Sequence, residues 1–474
     1  MLKVETISPI DGSIYYSFEQ HNTKDIEVKI DNARQAFSEW SETSLIERKA
    51  SVSRFVDAIE NDREEIAKEI TWQMGRPVSQ SPWELNGFTE RARHMISIAE
   101  NSLQPYKPEE IDGFERWIEH IPLGIVAVLS PWNYPYLTSV NAIVPALVAG
   151  NSVILKHSFQ TPLVAERYLK AAKLADIPEG VFQILHLNHQ NTASFIQNPL
   201  INGVFFTGSV EGGLAIQKSL TDKFIPCGLE LGGKDPAYVL ADADIDYTIN
   251  NLVEGSFFNS GQSCCGIERI YVHENRYDQF VDGFVDLTKK YVLGNPIDPS
   301  TTIGPMVKTN AADFVRNQIQ QAVDNGARAL IDESMFTASK KGTPYLAPQV
   351  LVDVDHAMDV MKEESFGPVV GIMKVTNDAE AIRLMNDSKY GLTASLWTED
   401  ENKAREIGHK IETGTLFMNR CDYLDPALAW TGIKNTGRGI TLSGLGYQQV
   451  THAKSYHLKV RNKTGDRGQG SVIL

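Results

Sequence analysis

Between residues 125 and 220, short β-branched runs alternate with helical stretches, and that order permits few folds. The runs fall at 125–129 (Ile-Val-Ala-Val-Leu), 152–155, 181–185 and 203–206, with helical stretches at 138–149, 162–175, 191–197 and 210–220. Such alternation builds right-handed βαβ crossovers and a doubly wound parallel sheet. Ligands of these sheets lie beyond the carboxyl ends of the strands, so the motifs following the strands are where chemistry is expected. A second α/β pattern begins after residue 236. Strands are predicted at 237–240 and 269–273, helices at 245–258 and 276–291, and further alternation to a strand at 414–419.

The rest of the chain is less telling. Residues 1–106 read mostly as helices; in 25–40, Ile26, Ile30, Ala33 and Phe37 share one helical face, and 45–60 and 62–74 behave alike. Residues 107–124 interleave Pro, Gly and charge with Phe114, Trp117, Ile118 and Ile121, the pattern of an extended hairpin or arm. The tail, 461–474, is polar and Gly-rich before a short apolar end; it is expected to fray or to dock on another subunit. A chain of 474 residues needs two or three cores rather than one.

The charge balance, 45 Lys and Arg against 60 Asp and Glu, opposes nonspecific binding of nucleic acid or anionic membrane. The amino terminus lacks an apolar signal-like region and no run approaches the length of a membrane span. Four cysteines make no disulfide framework, and no Cys/His cluster has zinc spacing. The expectation is a cytoplasmic protein without a metal.

Two of those cysteines, Cys264 and Cys265, lie side by side in Phe-Phe-Asn-Ser-Gly-Gln-Ser-Cys-Cys-Gly-Ile-Glu, residues 257–268; the others are Cys227 and Cys421. The polar, Gly-containing approach reads as a turn that leaves a thiol reachable, and only a thiolate is a good nucleophile. Taken alone, the pair reads equally as small hydrophobes. Glu230 changes the balance. It stands between apolar residues and a diglycine in Leu-Glu-Leu-Gly-Gly-Lys, 34 positions before Cys264.

Together the two segments resemble the aldehyde dehydrogenase superfamily, whose glutamate motif is E-L-G-G-K and whose cysteine motif is F-x-N-x-G-Q-x-C. The resemblance extends over nearly the whole chain. It implies an α/β fold of two doubly wound Rossmann-like domains plus a small β oligomerisation arm. Residues 1–106 and 125–230 would form the NAD(P)-binding domain, 231–445 the catalytic domain, and 107–124 with 446–474 the oligomerisation element of a homodimer or homotetramer.

The same resemblance assigns roles. Cys264, not Cys265, takes the place of the nucleophile and Glu230 that of the general base. Pro-Trp-Asn-Tyr-Pro at 131–135 is otherwise a Pro-rich turn after a strand; matched to the family's P-W-N-F-P, it makes Asn133 an oxyanion donor alongside the backbone N–H of Cys264. Such donors are typically worth roughly 3–4 kcal/mol each. Trp132 and Leu231 fall among the implied cofactor contacts.

Lys156, alone a solvated strand-end lysine, is implied to reach the adenosine ribose or a 2′-phosphate. The family's K-P-x-E is broken here by His157 and by Phe159 in place of a ribose-binding glutamate. Phe159 removes a repulsion against a 2′-phosphate but donates nothing to it, so NAD is favoured and NADP stays open. Phe-Thr-Gly-Ser at 206–209 with Gly213 fits F-T-G-S-x-x-x-G. There, Thr207, Gly208 and Ser209 precede a helix whose free N–H groups and dipole suit a phosphate; without the resemblance, Ser209 is an ordinary N-cap. No G-x-G-x-x-G occurs in this region, and the preceding 186–191 loop lacks glycine. Glu363-Glu-Ser-Phe-Gly-Pro368 resembles E-E-x-F-G-P, which implies that Glu364 holds the nicotinamide ribose and Phe366 lines its pocket.

By register from these motifs, Tyr134, Thr138, Asn141, Ser263, Cys265, Leu424 and Trp430 should line the substrate tunnel. Succinate-semialdehyde members often carry arginine where this chain has Asn141. A medium apolar or aromatic aldehyde is therefore the first expectation, with a succinate-semialdehyde-type substrate as the alternative if Arg420 points inward. Cys265 reads as a tunnel wall or as a redox partner of Cys264. The implied reaction is oxidation of an aldehyde to the carboxylic acid through a cysteine thiohemiacetal and thioester. Glu230 favours release by water, since coenzyme-A-acylating relatives generally lack that base. A catalytically silent structural relative is the rival reading, opposed by retention of all three groups. A cofactor-independent cysteine hydrolase is the third, opposed by the lack of a recognisable histidine partner.

Overall fold

The structure, a computed structural model, describes residues 3–460. Two mixed sheets carry it. The first runs β16 (Gly437–Arg438), β8 (Cys227–Glu230), β7 (Ile201–Thr207), β4 (Ile125–Ser130), β5 (Ser152–His157) and β6 (Phe182–Ile184), parallel except for β16. Every residue of β4 is buried, as a central strand covered on both faces requires. From β4 the chain moves to β5 and β6 on one side, then returns to β7 and β8 on the other. The order therefore reverses between β4 and β7, which is where α/β sheets bind ligands.

The second sheet runs β11 (Arg328–Ala329), β12 (Gln349–Val352), β13 (Val369–Val375), β10 (Ile267–His273), β9 (Asp235–Val239), β14 (Thr393–Trp397) and β15 (Thr415–Met418); only β11 is antiparallel. Residues 437–438 join the first sheet, although the expected boundaries count them with the second.

Local sequence explains the helices that frame the site. Asn22 with Asp25 and Ser44 with Glu47 form capping boxes on α1 (Thr23–Trp40) and α2 (Leu45–Asn61). Helix α3 (Arg63–Met74) ends at Gly75, whose φ of 89° suits glycine. Helix α4 (Ser81–Leu103) and α5 (Pro135–Ala149) pack together over one apolar core with Phe88, Met95, Tyr136 and Ile143. Helices α6 (Leu163–Leu174), α7 (His189–Gln197) and α8 (Val210–Ser219) make the remaining crossovers of the first sheet. A second core gathers Ala237, Val239, Ile270 and Phe284 beneath α9 (Ile245–Phe257).

One expectation is corrected, and of the hairpin or arm offered for 107–124 the arm is what forms. The mainly helical amino-terminal region opens with a hairpin, β1 (Lys3–Ile7) and β2 (Ile14–Glu19). The arm is extended, but β3 (Phe114–Pro122) does not pair within 107–124, where Ile111 and Phe114 make only an isolated bridge. It pairs antiparallel along nine residues with β17 (Thr451–Lys459), and Trp117 stacks on Tyr456 at 4.4 Å. A nine-residue ladder satisfies more backbone groups than any hairpin the 107–124 segment has room for. Residues 461–474, expected to fray or dock, lie outside the described residues. No described helix is long and apolar enough to cross a membrane.

Candidate active site

The cysteine loop follows α9 and is bent by three successive left-handed residues, Asn259 (φ 53°), Ser260 (57°) and Gly261 (69°). For the first two this conformation is uncommon and costly, so neighbours must hold it. A Cβ at Gly261 would stand 2.3 Å from the Gly367 carbonyl oxygen, so only glycine fits. Gln262 bonds the Asn259 carbonyl at 3.1 Å and accepts from the Val307 N–H at 2.8 Å. The turn leaves Cys264 partly exposed and Cys265 buried. The Cys265 thiol donates to Asp422 at 2.9 Å. Its hydrogen bond with Cys264, its burial and the Asp422 carboxylate push this thiol well up, away from the thiolate form.

The other catalytic candidates come from carboxyl ends of the first sheet. Asn133 lies in the turn between β4 and α5, buried, with its side-chain amide donating to the Gln262 carbonyl at 3.3 Å. Glu230 ends β8. Its carboxylate accepts from the Thr441 hydroxyl at 2.5 Å and from Thr207 at 3.2 Å. Burial raises its pKa, against the hydrogen bonds of Thr441 and Thr207 and the charge of Arg91.

Cys264 and Glu230 face one cavity of about 610 Å³. Tyr134, Thr138, Asn141, Ser263, Cys265, Leu424 and Trp430 line it too. The sequence placed the motifs beyond carboxyl strand ends, and for the first sheet they are there. The second sheet differs: Cys264 precedes β10 and Glu364 precedes β13, so it presents amino ends. The cavity lies where the two ends meet.

On the cofactor side, Trp132 meets Phe366 edge-on at 5.7 Å. Phe366 has a left-handed backbone, φ 50°. Glu364 accepts from the Gly233 N–H at 3.0 Å, and a Cβ on Gly232 would fall 2.3 Å from its carboxylate. Burial pushes its pKa up to about 8. Lys156 has its ammonium 5.3 Å from the centre of the Phe159 ring, and burial brings it down to about 8. No hydrogen bond or ion pair of the Lys156 ammonium occurs among the described residues. Ser209 caps α8 through the Gly212 N–H at 3.1 Å. Gly208 packs on Phe206 and Gly213 on Leu231, each too close for a Cβ. A lysine without a partner, a carboxylate with one oxygen unused and a capped helix start together suit a nicotinamide dinucleotide. Among the described residues, no group of three or more His, Cys, Asp or Glu side chains is placed to hold a metal.

Several site residues were not singled out from the sequence. Glu84 and Arg91 stand on the buried face of α4, in register with Phe88 and Met95, and charges at core positions are a legible signal. Arg91 also lines the cavity and donates to the Leu137 carbonyl at 2.7 Å and toward Asn141 at 3.4 Å; no carboxylate pairs with it among the described residues. Arg420, by contrast, was named from the sequence, and it lines the cavity with its guanidinium stacked on Tyr423 at 3.5 Å. Arg76, Asp422 and Thr441 carry no local pattern that marks them.

The sequence model of the aldehyde dehydrogenase family matches residues 2–456. An aldehyde dehydrogenase of Paenarthrobacter nicotinovorans is 33% identical over 457 residues, 96% of this chain and 99% of that protein. A succinate semialdehyde dehydrogenase, NAD(P)+, of Escherichia coli (strain K12) is 32% identical over 459 residues, 95% of this chain and 96% of that protein. The crystal structure of the succinic semialdehyde dehydrogenase of Streptococcus pyogenes in complex with NADP+ superposes with a TM-score of 0.92 at 27% identity, covering 96% of this chain and 99% of that one.

Proposed function

The chain belongs to the aldehyde dehydrogenase family of NAD(P)-dependent enzymes, and from that premise we propose that Cys264, Glu230 and Asn133 oxidise an aldehyde to its carboxylic acid in this cavity. The observation that carries the reading is that Cys264 and Glu230, from different sheets, open onto the same space. The Cys264 thiolate adds to the carbonyl carbon, and the Asn133 amide with the Cys264 N–H holds the oxygen as it gains charge. A bound NAD(P) would supply the acceptor for the hydride that leaves this carbon. What remains on Cys264 is a thioester. Glu230 then takes a proton from water, the hydroxide equivalent displaces the thiolate, and the acid leaves. Cys265, held as a thiol by its hydrogen bond with Cys264, by burial and by Asp422, does not act as a nucleophile.

The fit of the residues to the cofactor is supported by Glu364 for the nicotinamide ribose and Lys156 for the adenosine end. Lys156 is free to meet ribose hydroxyls or a 2′-phosphate, so both NAD and NADP are accepted in this reading. The β3–β17 ribbon, half-buried along β3 and mostly exposed along β17, is the element we assign to oligomerisation.

Of the two substrate readings, an aldehyde bearing a carboxylate fits better than an apolar one. Arg91 supports it: this cavity-lining guanidinium donates to neutral oxygens and has no carboxylate at ion-pair distance among the described residues, so a substrate carboxylate could take that place. Arg91 stands beside Asn141, the position where succinate-semialdehyde members often carry arginine. The name of the E. coli relative agrees with that class. Leu137, Leu424 and Trp430 supply the apolar wall that favours the aromatic alternative.

Absorbance at 340 nm tests the reading, with aliphatic, aromatic and carboxylate-bearing aldehydes offered against each cofactor. Reduction with any aldehyde establishes the reaction and ranks the substrates. Silence across the panel, with Cys264 unreactive to iodoacetamide, would leave a structural protein.

A further inference from the structure

Arg76 belongs to no motif, yet it is 1% exposed and touches both the Asn133 turn and the start of the cysteine loop. Its guanidinium pairs with Glu84 through Nη1, donates through Nη2 to the Asn133 carbonyl, and donates through Nε to Asn259 Oδ1 at 3.0 Å. Its face lies 4.5 Å from the centre of the Tyr134 ring. The loop carrying it is itself fixed, because a Cβ on Gly75 would meet the Pro305 carbonyl at 2.9 Å and one on Gly304 the Gly75 carbonyl at 2.0 Å.

Its two partners extend the grip. Glu84 is fully buried, and its second oxygen accepts the Tyr136 N–H at 2.7 Å and the Leu137 N–H at 3.3 Å, which caps α5 directly after the Asn133 turn. Asn259, in its left-handed conformation, passes its amide to both the Asn133 and the Gln262 carbonyls at 3.2 Å. Asn133 and the cysteine loop are therefore tied to each other through Asn259 and to α4 through Arg76. A guanidinium meets its acceptors with three separate nitrogens spread in one plane, whereas an ammonium carries its three donors on a single nitrogen and cannot span the same acceptors.

We infer that the buried Arg76–Glu84 pair is the positioning device that sets the Asn133 amide against Cys264, so that oxyanion stabilisation depends on it although neither residue touches the substrate. The inference rests on the roles proposed above for Asn133 and Cys264. A salt bridge buried this fully gives little net stability by itself, whereas fixing donors in advance is where an active site gains rate.

A double-mutant cycle tests it, with kcat/KM and thermal unfolding followed in wild type, Arg76→Lys, Asn133→Ala and the combined variant. Arg76→Lys should lower kcat/KM at least about tenfold, part of the roughly 100- to 1,000-fold that a whole oxyanion donor is worth. In the Asn133→Ala background it should cost nothing further, because the group it positions is gone. Equal losses in both backgrounds would make Arg76 a merely structural residue and overturn the inference, as would full activity in Arg76→Lys. If Arg76→Lys fails to fold, Glu84→Gln, which keeps an oxygen for the α5 cap, takes its place in the same cycle with the same two outcomes. A wild-type protein inactive on every aldehyde would instead sink the proposed function, whatever the cycle shows.

Discussion

The Thr441 hydroxyl donates to Glu230 Oε1 at 2.5 Å, so the proposed base at the end of β8 is held by a residue 211 positions further along the chain. With Thr207 on the other oxygen, the carboxylate is turned toward two donors inside a space whose burial favours its neutral form. The two effects oppose each other, and burial is the larger.

The pH profile follows from that balance. A raised pKa keeps Glu230 protonated, and inactive as a base, at pH values where an ordinary glutamate is already ionised. The acid limb of kcat should lie above the usual carboxylate range. Thr441→Val removes a bond to the charged form, so the limb should move further up, with both proteins converging at alkaline pH. Glu230→Gln should show a burst of about one NADH per site followed by turnover slowed by roughly 100-fold or more, since general-base catalysis contributes on that scale. A limb that does not move in Thr441→Val would remove this hydrogen bond from the account.

The two cysteines should separate cleanly. Cys264→Ser is expected to abolish oxidation. Cys265→Ser should keep most activity, since a hydroxyl can donate to Asp422 as the thiol does. Peptide mapping after brief iodoacetamide treatment should find the label on Cys264, because Cys265 is buried and held protonated. Turnover surviving in Cys264→Ser would transfer the nucleophile to its neighbour.

The frame of the site was readable because it is local. Runs such as 125–129 lie buried along their length in one sheet, and the residues that follow them emerge at carboxyl ends by geometry alone. What stayed hidden depends on distant partners. The β3 strand finds its mate more than 300 residues later, a contact that periodicity does not encode. Arg76 acts through Asn133 and Asn259, the latter 183 residues away. Glu84 and Arg91 lie between these cases: each breaks the apolar stripe of α4, which marks them as unusual, but only the fold says that one caps α5 and the other faces the cavity.

Arg91 makes the substrate reading testable. A bidentate hydrogen bond to a carboxylate is worth about 1.5–3 kcal/mol, so Arg91→Met should raise KM for succinate semialdehyde by roughly 10- to 100-fold. An uncharged aldehyde of similar length should be little affected. Arg91 also helps keep Glu230 ionised. The comparison therefore belongs at alkaline pH, where Glu230 is charged in both proteins. Equal effects on charged and uncharged aldehydes would assign Arg91 to the support of Glu230 and Asn141 and return the cavity to the apolar reading.

The role proposed for Lys156 makes cofactor choice testable by pH. Lys156, with a pKa near 8, is cationic below that value and loses its charge as pH rises through it. A 2′-phosphate needs the cation; ribose hydroxyls can accept or donate to the neutral amine as well. Because kcat/KM reports groups of the free enzyme, kcat/KM for NADP should fall between about pH 7 and 9 relative to that for NAD. Phe159→Glu places a carboxylate where the ring now faces the ammonium, which should raise the lysine pKa and repel a 2′-phosphate. The NAD/NADP ratio should rise in that variant, and its pH dependence should move to higher pH. A ratio that is flat with pH in the wild-type protein and unchanged by Phe159→Glu would place neither residue at the adenosine ribose.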